Sequence, residues 1–164
     1  MQFLPWYNAE VINFLNHHLT NKMDVFEYGG GNSTLYYANK VASVSTIETR
    51  KEWLDFVLKN ATTQNIEIKL PNTIANFANE IENFQKRIFD IIVVDSRDRA
   101  KCLIKSVNYI KKDGLIILDN SERENLSSAK SQMREIGFKE QVFSGVRLDG
   151  IVSVTSIFNK SSAF

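Results

Sequence analysis

The stretch VFEYGGGNSTLYYA, residues 25–38, places three consecutive glycines between an apolar run and a run of helical character. Gly29, Gly30 and Gly31 follow Glu27 and Tyr28 and precede Asn32, Ser33 and Thr34. A strand-to-helix turn with so bare a backbone lets a ligand come close. Three kinds of ligand compete for it. A phosphate-cradling loop needs a Lys directly before its Ser or Thr, and this chain has Asn32 there. A dinucleotide turn asks for a third glycine where this chain has Thr34. A ligand without pyrophosphate fits better. The acid two residues before the first glycine, Glu27, repels phosphate and suits a cation carrying an amino group. Glu48, which ends the next β-rich run, can accept hydrogen bonds from both hydroxyls of a ribose. The plain alternative is a tight turn beside a solvated strand end, and the spacing of Glu48 after the glycines weighs against it.

Outward from this turn, short β-rich runs alternate with longer amphipathic ones. Residues 8–19 carry Val11, Ile12, Phe14, Leu15 and Leu19 at helical spacing behind Asn8, a good N-cap. Residues 23–28, 41–49, 66–70, 88–95 and 115–118 read as strands. Residues 33–40, 51–60, 73–86, 99–110 and 127–136 read as helices. Trp53, Leu54, Val57 and Leu58 share a face of the helix at 51–60, and Ile81 and Phe84 point inward from 73–86. IFDIIVVD, residues 88–95, is nearly all apolar, as expected of a central strand covered on both faces. Two last strands, 139–146 and 151–158, flank RLDG, whose Asp149-Gly150 signals a hairpin. The alternation predicts an α/β fold, a doubly wound, Rossmann-like three-layer sandwich around a mostly parallel sheet. We expect one domain over residues 1–164, with residues 1–22 as an N-terminal helical segment packing on its core. Ligands of such sheets bind beyond the carboxyl ends of the strands. Glu27, Glu48, Asp95 and Asp119 each fall at or near such an end.

Composition narrows the classes. A chain of 164 residues, 43% hydrophobic, buries a core without disulfide staples. A formal net charge of +1 argues against a nucleic-acid partner or a membrane surface. The single Cys102 excludes an intrachain disulfide and a multi-cysteine zinc site, and it reads as a core residue. No signal-like start and no membrane-length apolar run is visible, so the expected location is cytoplasmic. His17 and His18 are adjacent, share no helix face, and read as solvated.

The segments VFEYGGGNSTLYYA, VSTIET, FDIIVVDSRDR and IKKDGLIILDN resemble the motifs of class I S-adenosylmethionine-dependent methyltransferases. The resemblance runs over residues 5–158, and VFSG with VTSIF resembles the closing hairpin of small members. It implies a seven-stranded sheet of order 3-2-1-4-5-7-6 with strand 7 antiparallel. It implies that Glu27, Gly29 and Gly31 hold the methionine end of S-adenosylmethionine, that Glu48 holds the ribose, and that Ser33, Asp95 and Ser96 also bind the cofactor. Gly30 beside the usual pair adds flexibility. KLPNTIANF, after the third strand, lacks the acid that often contacts adenine, and Asn72 is a weak substitute.

Methyl transfer to a hydroxyl needs the acceptor deprotonated, by a positioned base or by a divalent metal. VVDSRDR with ILDN resembles the metal-binding segments of catechol-type O-methyltransferases, which makes Asp95, Asp119 and Asn120 the catalytic candidates and, with Mg²⁺ or Ca²⁺, the metal ligands. The loop after Asp95 is one residue shorter than that pattern, and Arg97 stands nearest the lysine base, a role arginine cannot fill. Equally, Asp95 orients cofactor or substrate and Asp119-Asn120 cap a turn. Arg97, Arg99 and Arg123 either clamp an anionic group on the acceptor or pair with Asp98, Glu122 and Glu124. Trp6 and Tyr7 either wall the substrate cleft or pack the first helix. The function expected is O-methylation of a small molecule, with divalent-metal assistance as one route. The competing classes are an NAD(P)-dependent oxidoreductase and a non-catalytic S-adenosylmethionine-binding module. With little chain beyond the core, the acceptor is recognised by the N-terminal segment, by a partner chain as in a homodimer, or in an open cleft.

Overall fold

The chain alternates strand and helix from end to end in the computed structural model, which describes residues 3–86 and 88–161. The elements are α1 (Ala9–His18), β1 (Asp24–Tyr28), α2 (Asn32–Ala38), β2 (Ser43–Ile47), α3 (Lys51–Asn60), β3 (Ile66–Lys69), β4 (Phe89–Val94), α4 (Arg99–Ser106), β5 (Ile110–Asp119), α5 (Ser127–Glu135), β6 (Lys139–Val146) and β7 (Val152–Asn159). Short 3₁₀ turns at Phe77–Asn83 and Glu124–Leu126 complete it. The strands form one seven-stranded sheet in the order β3-β2-β1-β4-β5-β7-β6. The pairs from β3 through β5 are parallel, and β7 runs antiparallel to both β5 and β6. Both the predicted fold class and the strand order implied by the resemblance are therefore observed.

The period-2 alternation of the strands makes two cores. Phe26, Tyr28, Ile92, Val94, Ile116 and Leu118 face Cys102, Leu103, Ala129 and Met133 of α4 and α5. Val25, Ile91, Val93, Leu115 and Ile117 face Val11 and Leu15 of α1 and Tyr36, Tyr37 and Ala38 of α2. Covered on both sides, β4 and β5 are as apolar as their run of side chains requires. Glu27 lies on the α2 side, two residues beyond Val25, so the pleat carries a carboxylate into an apolar layer.

Beyond the packing of Tyr7, Val11 and Leu15, one side chain ties the N-terminal segment to the closing hairpin. Asn8 caps α1, its Oδ1 accepting the Val11 N–H at 3.1 Å. Its Nδ2 donates to the carbonyls of Phe143 and Ser153 at 3.3 and 3.4 Å, which ties α1 to the β6–β7 hairpin. Asn8 also pairs as an antiparallel bridge with Arg147.

Three expectations need correction. Residues 73–86 contain the 3₁₀ turn Phe77–Asn83 instead of a long α-helix. Asn72, Asn76, Asn79 and Asn83 compete for backbone hydrogen bonds there. Buried Glu80 fixes the turn by accepting from Thr73 N–H at 3.2 Å and Asn83 Nδ2 at 2.8 Å. Ile81 and Phe84 are buried as expected. Second, α4 stops at Ser106, and KKDG belongs to β5, where the register with β4 shifts between Phe89 and Ile91. Third, the face read on α3 is only partly internal: Val57 is buried and Leu58 is exposed. No helix among the described residues is long and apolar enough to cross a membrane.

Candidate functional site

All four predicted carboxylates reach the carboxyl edge of the sheet. Glu27 is the penultimate residue of β1, Glu48 follows β2, Asp95 follows β4 and Asp119 ends β5. Beyond them opens a cleft of about 340 Å³. It is lined by Trp6, Tyr7, Gly29–Gly31, Asn32, Ser33, Glu48, Arg50, Trp53, Asp95, Arg99, Asp119, Asn120 and Arg147. Its place at the point where the sheet order reverses, between β1 and β4, is where this class of fold binds ligands.

The glycine turn is built by contact as well as conformation. Gly29 has φ +96°, and a Cβ there would lie 2.3 Å from the Asp95 carbonyl oxygen, so β1 and the end of β4 meet only because the side chain is absent. Gly30 does more than add the expected flexibility. A Cβ on it would lie 2.5 Å from Thr46 Cγ2, and its N–H donates to Glu48 Oε2 at 2.8 Å. Glu48 Oε1 accepts from Arg50 N–H at 2.8 Å and the Thr49 hydroxyl at 3.3 Å. The Glu48 carboxylate is thus held in place by backbone donors at the rim of the cleft.

Beneath the turn, Glu27 is fully buried. Its Oε2 accepts from the Thr34 hydroxyl at 2.6 Å and the Thr46 hydroxyl at 3.1 Å, with the Ser33 hydroxyl close by. Thr34 also accepts the Gly31 N–H at 3.1 Å. The residue that spoiled the dinucleotide pattern therefore buttresses both turn and acid. Glu27 Oε1 has no hydrogen-bond partner. Burial pushes the carboxyl up to about 7 against the hydrogen bonds that favour its charged form. A buried, unsatisfied carboxylate oxygen costs about 1–3 kcal/mol and is best explained by a donor that arrives with a ligand. The residues around the turn therefore fit the amino group and ribose of S-adenosylmethionine.

The far side of the cleft is arranged differently. Arg99, the first residue of α4, donates from Nη2 to Asp95 Oδ1 at 2.6 Å and to Asn120 Oδ1 at 3.1 Å. Its Nη1 donates to the Ser96 carbonyl at 2.5 Å and its Nε to the Asp119 carbonyl at 3.0 Å. Arg123 Nη2 adds a second bond to Asn120 Oδ1 at 3.2 Å. Asp119 Oδ1 accepts the Thr155 hydroxyl of β7 at 2.8 Å. Asn120 sits at φ +52°, a left-handed turn that Asn tolerates. Burial and the facing Asp119 push Asp95 up while Arg99 pulls it back. Burial likewise pushes Asp119 up. Asp95, Asp119 and Asn120 do converge, as expected of metal ligands, but Asp95 Oδ1 and Asn120 Oδ1 already accept from guanidinium groups that occupy the space between them, and Asp119 Oδ1 accepts from a hydroxyl. This arrangement does not fit Mg²⁺ or Ca²⁺.

The remaining candidates separate. Ser33 lines the cleft; Ser96 contributes its carbonyl to Arg99. Tyr7 is buried and lines the cleft, its hydroxyl without a partner. Burial, the neighbouring Tyr37 and the nearby Asp95, Asp119 and Glu27 push that phenol well up, so it stays protonated. Trp6 is 56% exposed at the rim. Arg99 is a clamp on the protein's own oxygens, and Arg97 is exposed and lines no part of the cleft. Sequence reasoning missed Trp53, Arg50 and Arg147. Trp53 stands edge-on to Trp6 at 5.8 Å, with the Arg50 guanidinium 5.4 Å from its ring. Arg147, ion-paired with Asp149, lies 5.6 Å over Trp6. A tryptophan in the first turn of the helix directly after Glu48 was the available signal for Trp53.

No family model matches the sequence, and no curated protein matches it. Many solved structures share the fold. An rRNA methylase from Streptococcus thermophilus aligns over 92% of this chain and 94% of its own with a TM-score of 0.72 and 12% identity. A SAM-dependent O-methyltransferase from Thermotoga maritima aligns over 100% and 70% with a TM-score of 0.71 and 13% identity. SMU.1697c from Streptococcus mutans, solved in complex with SAH, aligns over 94% and 99% with a TM-score of 0.68 and 9% identity. At such identities the likeness is one of fold. Strand order, antiparallel β7 and structural neighbours agree: this chain has the fold of the class I S-adenosylmethionine-dependent methyltransferases.

Proposed function

We propose that the protein is an S-adenosylmethionine-dependent methyltransferase acting on an oxygen of a small molecule. The observation that carries the reading is Glu27 Oε1, buried and unpartnered beneath a glycine turn whose rim holds the Glu48 carboxylate. Two acids around a bare turn favour a cationic nucleoside and disfavour a dinucleotide phosphate. When bound, S-adenosylmethionine supplies an electrophilic methyl group on a sulfonium.

The chain's own work is alignment and proton removal. Glu27 and Glu48 bind and orient the donor. Trp6, Tyr7 and Trp53 wall the cleft against water. Asp95 and Asp119, on adjacent strand ends, are the groups placed to take the acceptor's proton. This route replaces divalent-metal assistance, because Arg99 and Arg123 hold the oxygens Asp95 Oδ1 and Asn120 Oδ1. One structural neighbour is an rRNA methylase, but a net charge of +1 and a cleft lined by three carboxylates favour a small acceptor over RNA.

Calorimetry with S-adenosylhomocysteine beside fluorescence titration with NADH tests the reading. We expect S-adenosylhomocysteine to bind and NADH not to. The reverse result would replace a methyltransferase by an oxidoreductase. Binding without transfer to any hydroxylated compound in a broad panel would leave a cofactor-binding module.

A further inference from the structure

We infer that Arg99 is a resident cation. It occupies the place of a divalent metal among Asp95, Asn120, Ser96 and Asp119, and its removal uncovers a latent site for a hard divalent or trivalent ion. The argument is one of ligand chemistry. Four oxygens from the ends of two neighbouring strands converge on one guanidinium: a carboxylate, an amide oxygen and two main-chain carbonyls. That is a donor set hard cations favour. The four bonds span 2.5–3.1 Å and engage Nε, Nη1 and Nη2, so the planar fork is used as a template. The Arg99 side chain is only 11% exposed. A metal among these four oxygens would sit against the guanidinium charge, and a lysine in its place would keep that charge while reaching fewer of them.

The sequence supports the same placement. Asp95, Asp119 and Asn120 match a metal-ligand pattern by residue type. The chain adds an arginine at the start of α4, four residues after Asp95, where its side chain reaches back over both strand ends. The proposal makes Arg99 a positioning residue. It fixes the Asp95 carboxylate and the Asn120 amide with a charge that no chelator can remove.

The test reads metal binding directly and needs neither cofactor nor methyl acceptor, so it stands or falls apart from the methyltransferase reading. Tb³⁺ luminescence sensitised by Trp6 and Trp53 is titrated into the wild-type protein, Arg99→Ala, Arg99→Lys and the double variant Arg99→Ala/Asp95→Asn, with Ca²⁺ as competitor. We expect Arg99→Ala to bind Tb³⁺ at least tenfold more tightly than the wild type, Ca²⁺ to displace it, and Asp95→Asn to abolish the gain. Arg99→Lys keeps the charge and should stay near wild type. Equal binding by wild type and Arg99→Ala, or a folded Arg99→Ala that gains none, overturns the proposal. If Arg99→Ala does not fold, the wild type decides. A melting temperature indifferent to EDTA, Mg²⁺ and Ca²⁺ upholds the resident cation, and a saturable shift with either ion refutes it.

Discussion

The two halves of the cleft are built from the same residue types and left in opposite states. On the β1–β2 side, Glu27 has an oxygen with no partner and Glu48 is braced by two backbone N–H groups and the Thr49 hydroxyl, with no ion-pair partner among the described residues. On the β4–β5 side, Asp95 Oδ1 and Asn120 Oδ1 already accept from Arg99, and Asn120 from Arg123 as well. Open valence marks where a ligand supplies the missing donor, whereas saturated valence marks where the protein has supplied its own. The difference teaches that carboxylates at strand ends are not equivalent evidence for a metal. What decides is the cation the chain already holds.

The largest effect is expected where the halves touch. Gly29→Ala drives a Cβ into the Asp95 carbonyl from a left-handed backbone, and should cost about 3 kcal/mol or more of stability. Denaturant midpoints check this; a shift within experimental error would mean that the two strand ends move apart freely. Next, Glu48→Ala should weaken S-adenosylhomocysteine binding by about 1–3 kcal/mol in calorimetry while leaving Tb³⁺ binding unchanged, separating the halves. An unaltered dissociation constant would remove Glu48 from the cofactor side.

A pH dependence comes third. Burial lifts Glu27 from 4.5 to about 7, so at pH 6 the carboxyl is mostly protonated and cannot pair with an ammonium group. S-adenosylhomocysteine should bind about tenfold more weakly at pH 6 than at pH 8, and Glu27→Gln should flatten that slope. The stability of the free protein should run the opposite way. Its fold keeps a proton that the unfolded chain releases, so Glu27's contribution to stability falls as pH rises from about 4.5 to 7. The smallest effect belongs to the rim. Trp6→Ala removes the edge contact with Trp53 and the cover over Arg147, and should weaken cofactor binding by about 0.5–1.5 kcal/mol. A fluorescence titration following the remaining Trp53 would register it.

Much of this was legible in the residues. The apolar runs announced β1, β4 and β5 because strands covered on both faces have few alternatives to valine, isoleucine and leucine. Glu27 and Glu48 were legible because a strand end followed by glycines or by a helix fixes where an acid points. The 73–86 segment was misread because its apolar spacing matches a helix, whereas the outcome depended on four asparagines and the buried Glu80. Arg147 was invisible for a topological reason. It reaches the cleft only because β7 lies between β5 and β6, which sets the tip of the hairpin beside Trp6. The state of Asp95 was hidden for a third reason. Residue types show which ligands are present, but only coordinates show that Arg99 has reached them first.

The anchoring of Asn8 on Phe143 and Ser153 has a consequence for biosynthesis. The segment that carries Trp6 and Tyr7 is made long before the carbonyls that Asn8 grips, which lie 135 and 145 residues further along the chain. A nascent chain halted before β6 would own its glycine turn, Glu48 and the apolar bed of its first helix, but lack the carbonyls that fix Asn8 beside Trp6 and Tyr7. Cofactor capture should therefore begin only once translation has delivered the closing hairpin.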